Sequence, residues 1–103
     1  MDEALHAMVN LDRTIHEPSR LVIVTVLYCV ECADFLYLLR QTGMTKGNLS
    51  SHLAKLEASG YVEIEKTYRG KVPQTICRLT KSGIAAFRQY RKDLKRAMDS
   101  IPT

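Results

Sequence analysis

Cys29 and Cys32 stand in Cys-x-x-Cys spacing, with Asp34 two residues further on. Thiolates so spaced can hold a soft metal or cycle between dithiol and disulfide. A structural zinc site needs four ligands, and no Cys or His cluster nearby in sequence completes this pair. The expectation is no bound metal and no cofactor, with Cys29, Cys32 and Cys77 as inert buried thiols. A metal- or redox-responsive pair at Cys29 and Cys32 is the alternative, which His6 and His16 could join only across a dimer. Three cysteines are an odd number and build no disulfide framework. The sequence has no Gly-rich phosphate loop, no His-Glu-x-x-His and no Gly-x-Ser-x-Gly, so no enzyme is expected.

A second set of residues could bind a polyanion. Residues 66–96 hold ten bases and one acid, net +9, whereas residues 1–34 hold six acids and two bases, net −4. Such asymmetry suggests a polyanionic partner for the second half, against the plainer reading of a solvated basic face. Between Met44 and Leu56 there is no acid at all. Thr45, Lys46, Gly47, Asn48, Ser50, Ser51 and Lys55 are small, polar or basic, with His52 at the edge of an apolar stripe. Short polar side chains and a glycine permit close approach to base edges and phosphates in a major groove.

The elements that must carry these residues follow from caps and periodicity. At 103 residues the chain is one domain's worth, 1–103, and too short for two independent cores. Leu5, Met8, Val9 and Ile15 have helical spacing, which predicts a helix over 2–13. Leu21 to Tyr28 is rich in β-branched residues; periodicity does not separate a buried strand from a helix there, and propensity leans towards strand. Asp34 is placed to cap a helix over Phe35–Thr42 that Gly43 ends, and Thr45 to cap another reaching Ser59. Leu49, Leu53 and Leu56 give that last helix one apolar stripe. Tyr61–Lys66 and Thr75–Leu79 alternate as strands about a turn at Arg69–Pro73, with Cys77 and Leu79 inward. Thr80 then caps a helix running to about Ile101.

A helix, a glycine turn and an amphipathic helix make a helix-turn-helix. A β-hairpin with Lys66, Tyr68, Arg69 and Lys71 at its tip follows at once, its strands too short for a sheet of their own. Together they predict a winged helix-turn-helix: mainly α with a small β-hairpin (α+β), helix in the major groove, wing on the backbone or minor groove. That fold needs a helix before the motif, so Leu21–Val30 is assigned as helix. The parts are an N-terminal helix over 1–15, a winged-helix core over 16–80 and a C-terminal helix over 81–103.

The run Gly43-Met-Thr-Lys-Gly-Asn-Leu-Ser-Ser-His-Leu-Ala-Lys-Leu-Glu-Ala-Ser-Gly-Tyr-Val62, with Ile76-Cys-Arg-Leu-Thr-Lys-Ser-Gly83 behind the wing, resembles the small stand-alone winged-helix transcriptional regulators of the MarR/ArsR type. The resemblance covers about His16 to Met98. It implies recognition-helix positions for Thr45, Lys46, Gly47, Asn48, Ser51 and His52, and a wing tip at Arg69–Lys71.

Phe87, Tyr90, Leu94, Ala97 and Ile101 are spaced 3, 4, 3, 4, a heptad seam flanked by Met98. The helix is long for so small a core, so a subunit interface is expected there, joined by Leu5, Met8 and Ile15. A two-fold homodimer would set two recognition helices against a palindromic double-stranded DNA operator, with half-sites about 34 Å apart. The competing readings are a winged-helix protein-interaction module and, with only Tyr61 and Tyr68 to stack bases, an architectural or single-strand binder. No signal peptide is expected from the acidic Met1-Asp2-Glu3 start, and Leu21–Val30 is half a membrane span. The expected location is cytoplasmic, with no membrane partner.

Overall fold

Burial decides the segment that periodicity leaves open. In the computed structural model, which describes residues 2–102, Pro18–Val30 is a helix, α2, preceded by α1 over Asp2–Val9. Ile23, Val24 and Leu27 of α2 are buried while Val22, Thr25, Cys29 and Val30 are exposed, a 3.6-residue rhythm that strand alternation would scramble. Glu17 caps the helix, its carboxylate accepting the N–H groups of Ser19 and Arg20 ahead of Pro18 at the first turn.

α1 stops at Val9, short of the 2–13 expected. Asp12 explains the interruption nearby: its Oδ1 accepts the N–H groups of Thr14 and Ile15, a local bond that competes with continued helix. α2 ends at Glu31, whose φ of 71° and ψ of −48° lie outside the usual range of a residue with a β-carbon. Such a conformation costs on the order of 1–3 kcal/mol.

Next come β1 (Cys32–Asp34), α3 (Phe35–Thr42), α4 (Lys46–Ala58), β2 (Val62–Arg69), β3 (Val72–Leu79) and α5 (Lys81–Asp99). The hairpin is longer than expected. β2 and β3 pair from Val62↔Leu79 up to Arg69↔Val72, so Gly70 and Lys71 alone make the turn. Gly70 takes φ +65° and Lys71 does not go positive, the sign pattern of a type II′ hairpin turn. Pro73 fits within the strand because β1 reaches only Ile76, leaving an open edge where a missing N–H costs nothing. The strands do not stand alone: β1 adds a third, in the order β1-β3-β2, all antiparallel. This is a winged helix-turn-helix with five helices and a three-stranded wing.

One core joins the parts. Ile23, Leu27, Leu38, Leu49, Leu53, Leu56, Val62, Cys77 and Phe87 all belong to it. α5 approaches β2 at backbone distance. Thr80 donates its N–H to the Tyr61 carbonyl and its hydroxyl to the Gly60 carbonyl, while its Oγ1 accepts from Gly83 N–H.

The seam expected between subunits is largely occupied within the chain. Ile15 and Ala97 are 0% exposed, Tyr90 3% and Phe87 5%, so these four belong to the protein's own interior and offer no side chain to a partner. Tyr90 OH also lies 2.8 Å from His16 Nδ1, and α1 packs along α5. A heptad spacing marks a buried helix face, and α1 with the body of the domain supplies the cover. Leu5 and Ile101, at 51% and 53% exposed, and Met98 remain outside, with Met8 and Leu94 half-buried.

Candidate nucleic-acid interface

The turn into α4 is set by two local contacts. Gly43 takes φ +69° and donates its N–H to Leu39 O, closing α3. Thr45 then caps α4, its Oγ1 accepting Asn48 N–H at 3.1 Å. Leu49, Leu53 and Leu56 are buried, which turns the opposite side of α4 outward. Thr45, Lys46, Gly47, Asn48, Ser50, Ser51 and Lys55 are all exposed. Gly47, Ser51 and Lys55 lie a turn apart along the outermost ridge. The first acid of the helix is Glu57, in its last turn.

Gly47 has no internal reason to be glycine: its φ is not left-handed, and an added β-carbon would meet nothing within 4 Å. Even in the first turn of a helix it costs up to about 1 kcal/mol relative to alanine. The cost is rational if something outside the chain comes close.

His52 is placed differently from its neighbours. It is half-buried and turned toward the start of α2, with Nδ1 3.2 Å from Arg20 Nη1 and 3.6 Å from Glu17 Oε2. Arg20 in turn donates through Nε to Thr14 O at 2.6 Å. Burial raises the Glu17 pKa, but the N–H groups of Arg20 and Ser19 and the neighbouring His52 and Arg20 side chains outweigh it, so the carboxyl titrates below its ordinary value. The cluster ties α4 to α2. Sequence reasoning missed Glu17 and Arg20 as its members, although Glu17 immediately before Pro18 is a legible cap.

The wing sets its cations on both faces. Directly opposed residues share a face, so Lys66 and Tyr68 lie with Thr75 and Pro73, and Arg69 lies with Val72. Lys66 and Thr75 border an open groove with Ser50, Ala54 and Glu57 of α4. Tyr68, Arg69 and Lys71 are exposed at the far end. Ala54, absent from the expected set, therefore lines the passage between helix and wing beside Ser50.

Asp34 holds the wing to the motif. One carboxylate oxygen caps α3 by accepting Tyr37 N–H at 2.7 Å, and the other accepts Gln74 Nε2 of β3 at 3.3 Å. The Tyr37 bond outweighs burial, and with Gln74 and Arg40 it holds the Asp34 pKa below its ordinary value.

The structure divides the basic half of the sequence. Arg78 pairs with Glu63 and Glu65 on the sheet, and Lys95 with Asp99 on α5. Arg88 donates to Tyr28 OH at 3.1 Å and pulls that phenol's pKa down, while Arg91 stands 6.0 Å from the Tyr28 ring centre. Arg88, Arg91, Lys92 and Lys95 line a groove between α2 and α5. Lys46, Lys55, Lys66, Arg69 and Lys71 are the basic set on α4 and the wing.

Cys29 and Cys32 are exposed, against the expectation of buried thiols, because the end of α2 and the start of β1 lie at the surface; Cys77 is buried as expected. Among the described residues no group of three His, Cys, Asp or Glu side chains is gathered to hold an ion. No described helix is long and apolar enough to cross a membrane.

Three similarities bear on this arrangement. The uncharacterized protein MJ0432 of Methanocaldococcus jannaschii is 42% identical over 72 residues, covering 69% of this chain and 77% of that protein. The structure of a transcriptional regulator homologue from Pyrococcus horikoshii superposes with a TM-score of 0.88 at 27% identity, each chain covered in full. The transcriptional repressor CouR, bound to a 23-mer DNA duplex, shares the fold with a TM-score of 0.72 at 20% identity, over 95% of this chain and 67% of its own. The winged helix DNA-binding domain matches residues 19–98, and the chain belongs to that family.

Proposed function

We propose that this protein is a sequence-specific double-stranded DNA-binding transcriptional regulator that acts as a homodimer. The observation that carries this reading is the outer side of α4, an acid-free surface of Lys46, Gly47, Asn48, Ser51 and Lys55 beside a wing carrying Lys66, Arg69 and Lys71. α4 enters the major groove; Asn48, Ser50 and Ser51 read base edges, and Lys46 and Lys55 meet phosphates. Tyr68, Arg69 and Lys71 rest on the backbone or in the neighbouring minor groove. His52 serves this surface from behind, through Glu17 and Arg20, and offers only its remaining ring edge to DNA. No enzymatic step and no cofactor belong to the reading, and residues 1–103 act as one domain.

Leu5, Met98 and Ile101 are exposed and Met8 and Leu94 half-buried on or beside the packed helices α1 and α5, and a second copy covers them. That pairing presents two copies of α4 to a palindrome. The test is selection of bound duplexes from random and genomic pools, followed by sedimentation of the complex. The reading expects a two-fold symmetric consensus bound by two chains. Recovery of no consensus, or of one chain on an asymmetric site, would refute it.

A further inference from the structure

The turn between α2 and β1 carries two accessible thiols at a joint of the fold. Cys29 lies in the last turn of α2 and Cys32 opens β1, and both are exposed. Between them Glu31, with φ 71°, is the single residue that joins the end of α2 to β1 inside the Cys-x-x-Cys segment. Cys32 stands opposite Arg78 on β3. Two residues later Asp34 caps α3 and accepts from Gln74 of the wing. Whatever resets this turn therefore acts on the elements that place α4 and the hairpin tip relative to each other. Cys77 is a built-in control: burial, with a smaller contribution from Asp34, pushes its thiol up to about 11, so it is slow to react in the folded chain.

We propose that Cys29 and Cys32 are a redox-active dithiol, which small disulfides oxidise to an intrachain disulfide, and that closing this ring weakens binding to DNA. One thiolate attacks a sulfur of the external disulfide, forming a mixed disulfide and releasing one small thiol. The second, its proton lost to water, attacks the protein sulfur of that bond and expels the other small thiol. The protein loses two electrons and two protons, and the external disulfide becomes two thiols. The described fold has both thiols free with α4 and the wing set out as a DNA-binding surface. Closure replaces the Glu31 turn with a covalently tethered one and shifts the joint away from that setting. The affinity clause rests on the regulator reading; ring closure does not.

The experiment treats the whole folded protein with oxidised glutathione and reads intact mass, a non-reducing gel and duplex affinity. The expected result is a monomeric species lighter by two hydrogen atoms, with Cys77 alkylated only after unfolding. Cys29→Ser and Cys32→Ser should each stop at one glutathione adduct. Oxidised protein should bind its selected duplex about tenfold more weakly, reversed by dithiothreitol. By linkage the couple is then about 30 mV more positive on DNA. The double serine variant should bind like reduced protein whatever the oxidant. Two glutathiones per folded chain, an interchain disulfide, or equal affinity of the two forms would overturn the proposal. A reduced protein that binds no duplex would remove the regulator reading and the affinity clause, while the mass still decides ring closure.

Discussion

A β-carbon added to Gly83 would stand 2.1 Å from the carbonyl oxygen of Tyr61. α5 thus crosses the entrance to β2 at backbone contact, and Thr80 fastens the crossing from both sides. Because the obstacle is main chain, no rotamer change relieves it. Gly83→Ala should destabilise the fold by about 3 kcal/mol, at the upper end for overpacking. Urea unfolding checks this, with Ala85→Gly, at an exposed position of the same helix, costing only about 1 kcal/mol.

Gly47 gives the opposite case. Alanine fits there without contact and removes the helix cost of glycine, so Gly47→Ala should raise stability by up to about 1 kcal/mol. On the proposed surface the same methyl intrudes on the DNA. Thermal unfolding and duplex titration of one variant should therefore move in opposite directions.

The two kinds of DNA contact should separate by substitution. Asn48→Ala and Ser51→Ala are expected to cost about 1–3 kcal/mol on the preferred site and little on random duplexes. Arg69→Ala with Lys71→Ala should weaken binding to every duplex. Competition titrations with a scrambled duplex distinguish them.

The open apolar surface predicts its own variant. Met98→Asp with Leu5→Asp places charges on side chains that are already exposed, so the helical content should persist. The proposed homodimer should dissociate to single chains in sedimentation, and affinity for a palindrome should fall toward that for a half-site.

Alkaline conditions should destabilise the fold through two named groups. The bond to Asp12, with burial, raises the Tyr61 phenol to about 12 from an ordinary value near 10, and the Cys77 thiol rises to about 11 from near 9. In each case the folded state holds its proton more tightly than the unfolded chain. Their contribution is complete below about pH 9 and is lost as pH rises through 11 to 12. Tyr61→Phe should flatten the pH dependence of stability between about 10 and 12, measured by denaturant unfolding at fixed temperature.

Much of the fold is legible in the sequence because its punctuation is local. Asp34, Thr45 and Thr80 each cap the helix expected of them, with the side-chain oxygen bound three residues on. α2 is different: its β-branched run leans towards strand, and only the motif after it, which needs a helix there, points to the helix that buries Ile23, Val24 and Leu27. β1 is invisible, since three residues carry no period and its partner lies some forty residues away. His52 looks like a groove residue by spacing, yet its ring is held by Glu17 and Arg20, more than thirty residues earlier. The heptad on α5 marks a buried face without saying what buries it. Its cover came mostly from the chain itself.

The salt dependence of duplex affinity tests the DNA-facing role of α4 and the wing most directly. In the proposed reading Lys46, Lys55, Lys66, Arg69 and Lys71 of each copy neutralise phosphates, and each displaced counterion contributes about −0.9 to the slope of log K against log salt. A slope of about −4 or steeper per copy is expected, made shallower by about one for each of these residues changed to alanine. A slope near zero, or one indifferent to all five substitutions, would mean that this surface does not meet DNA.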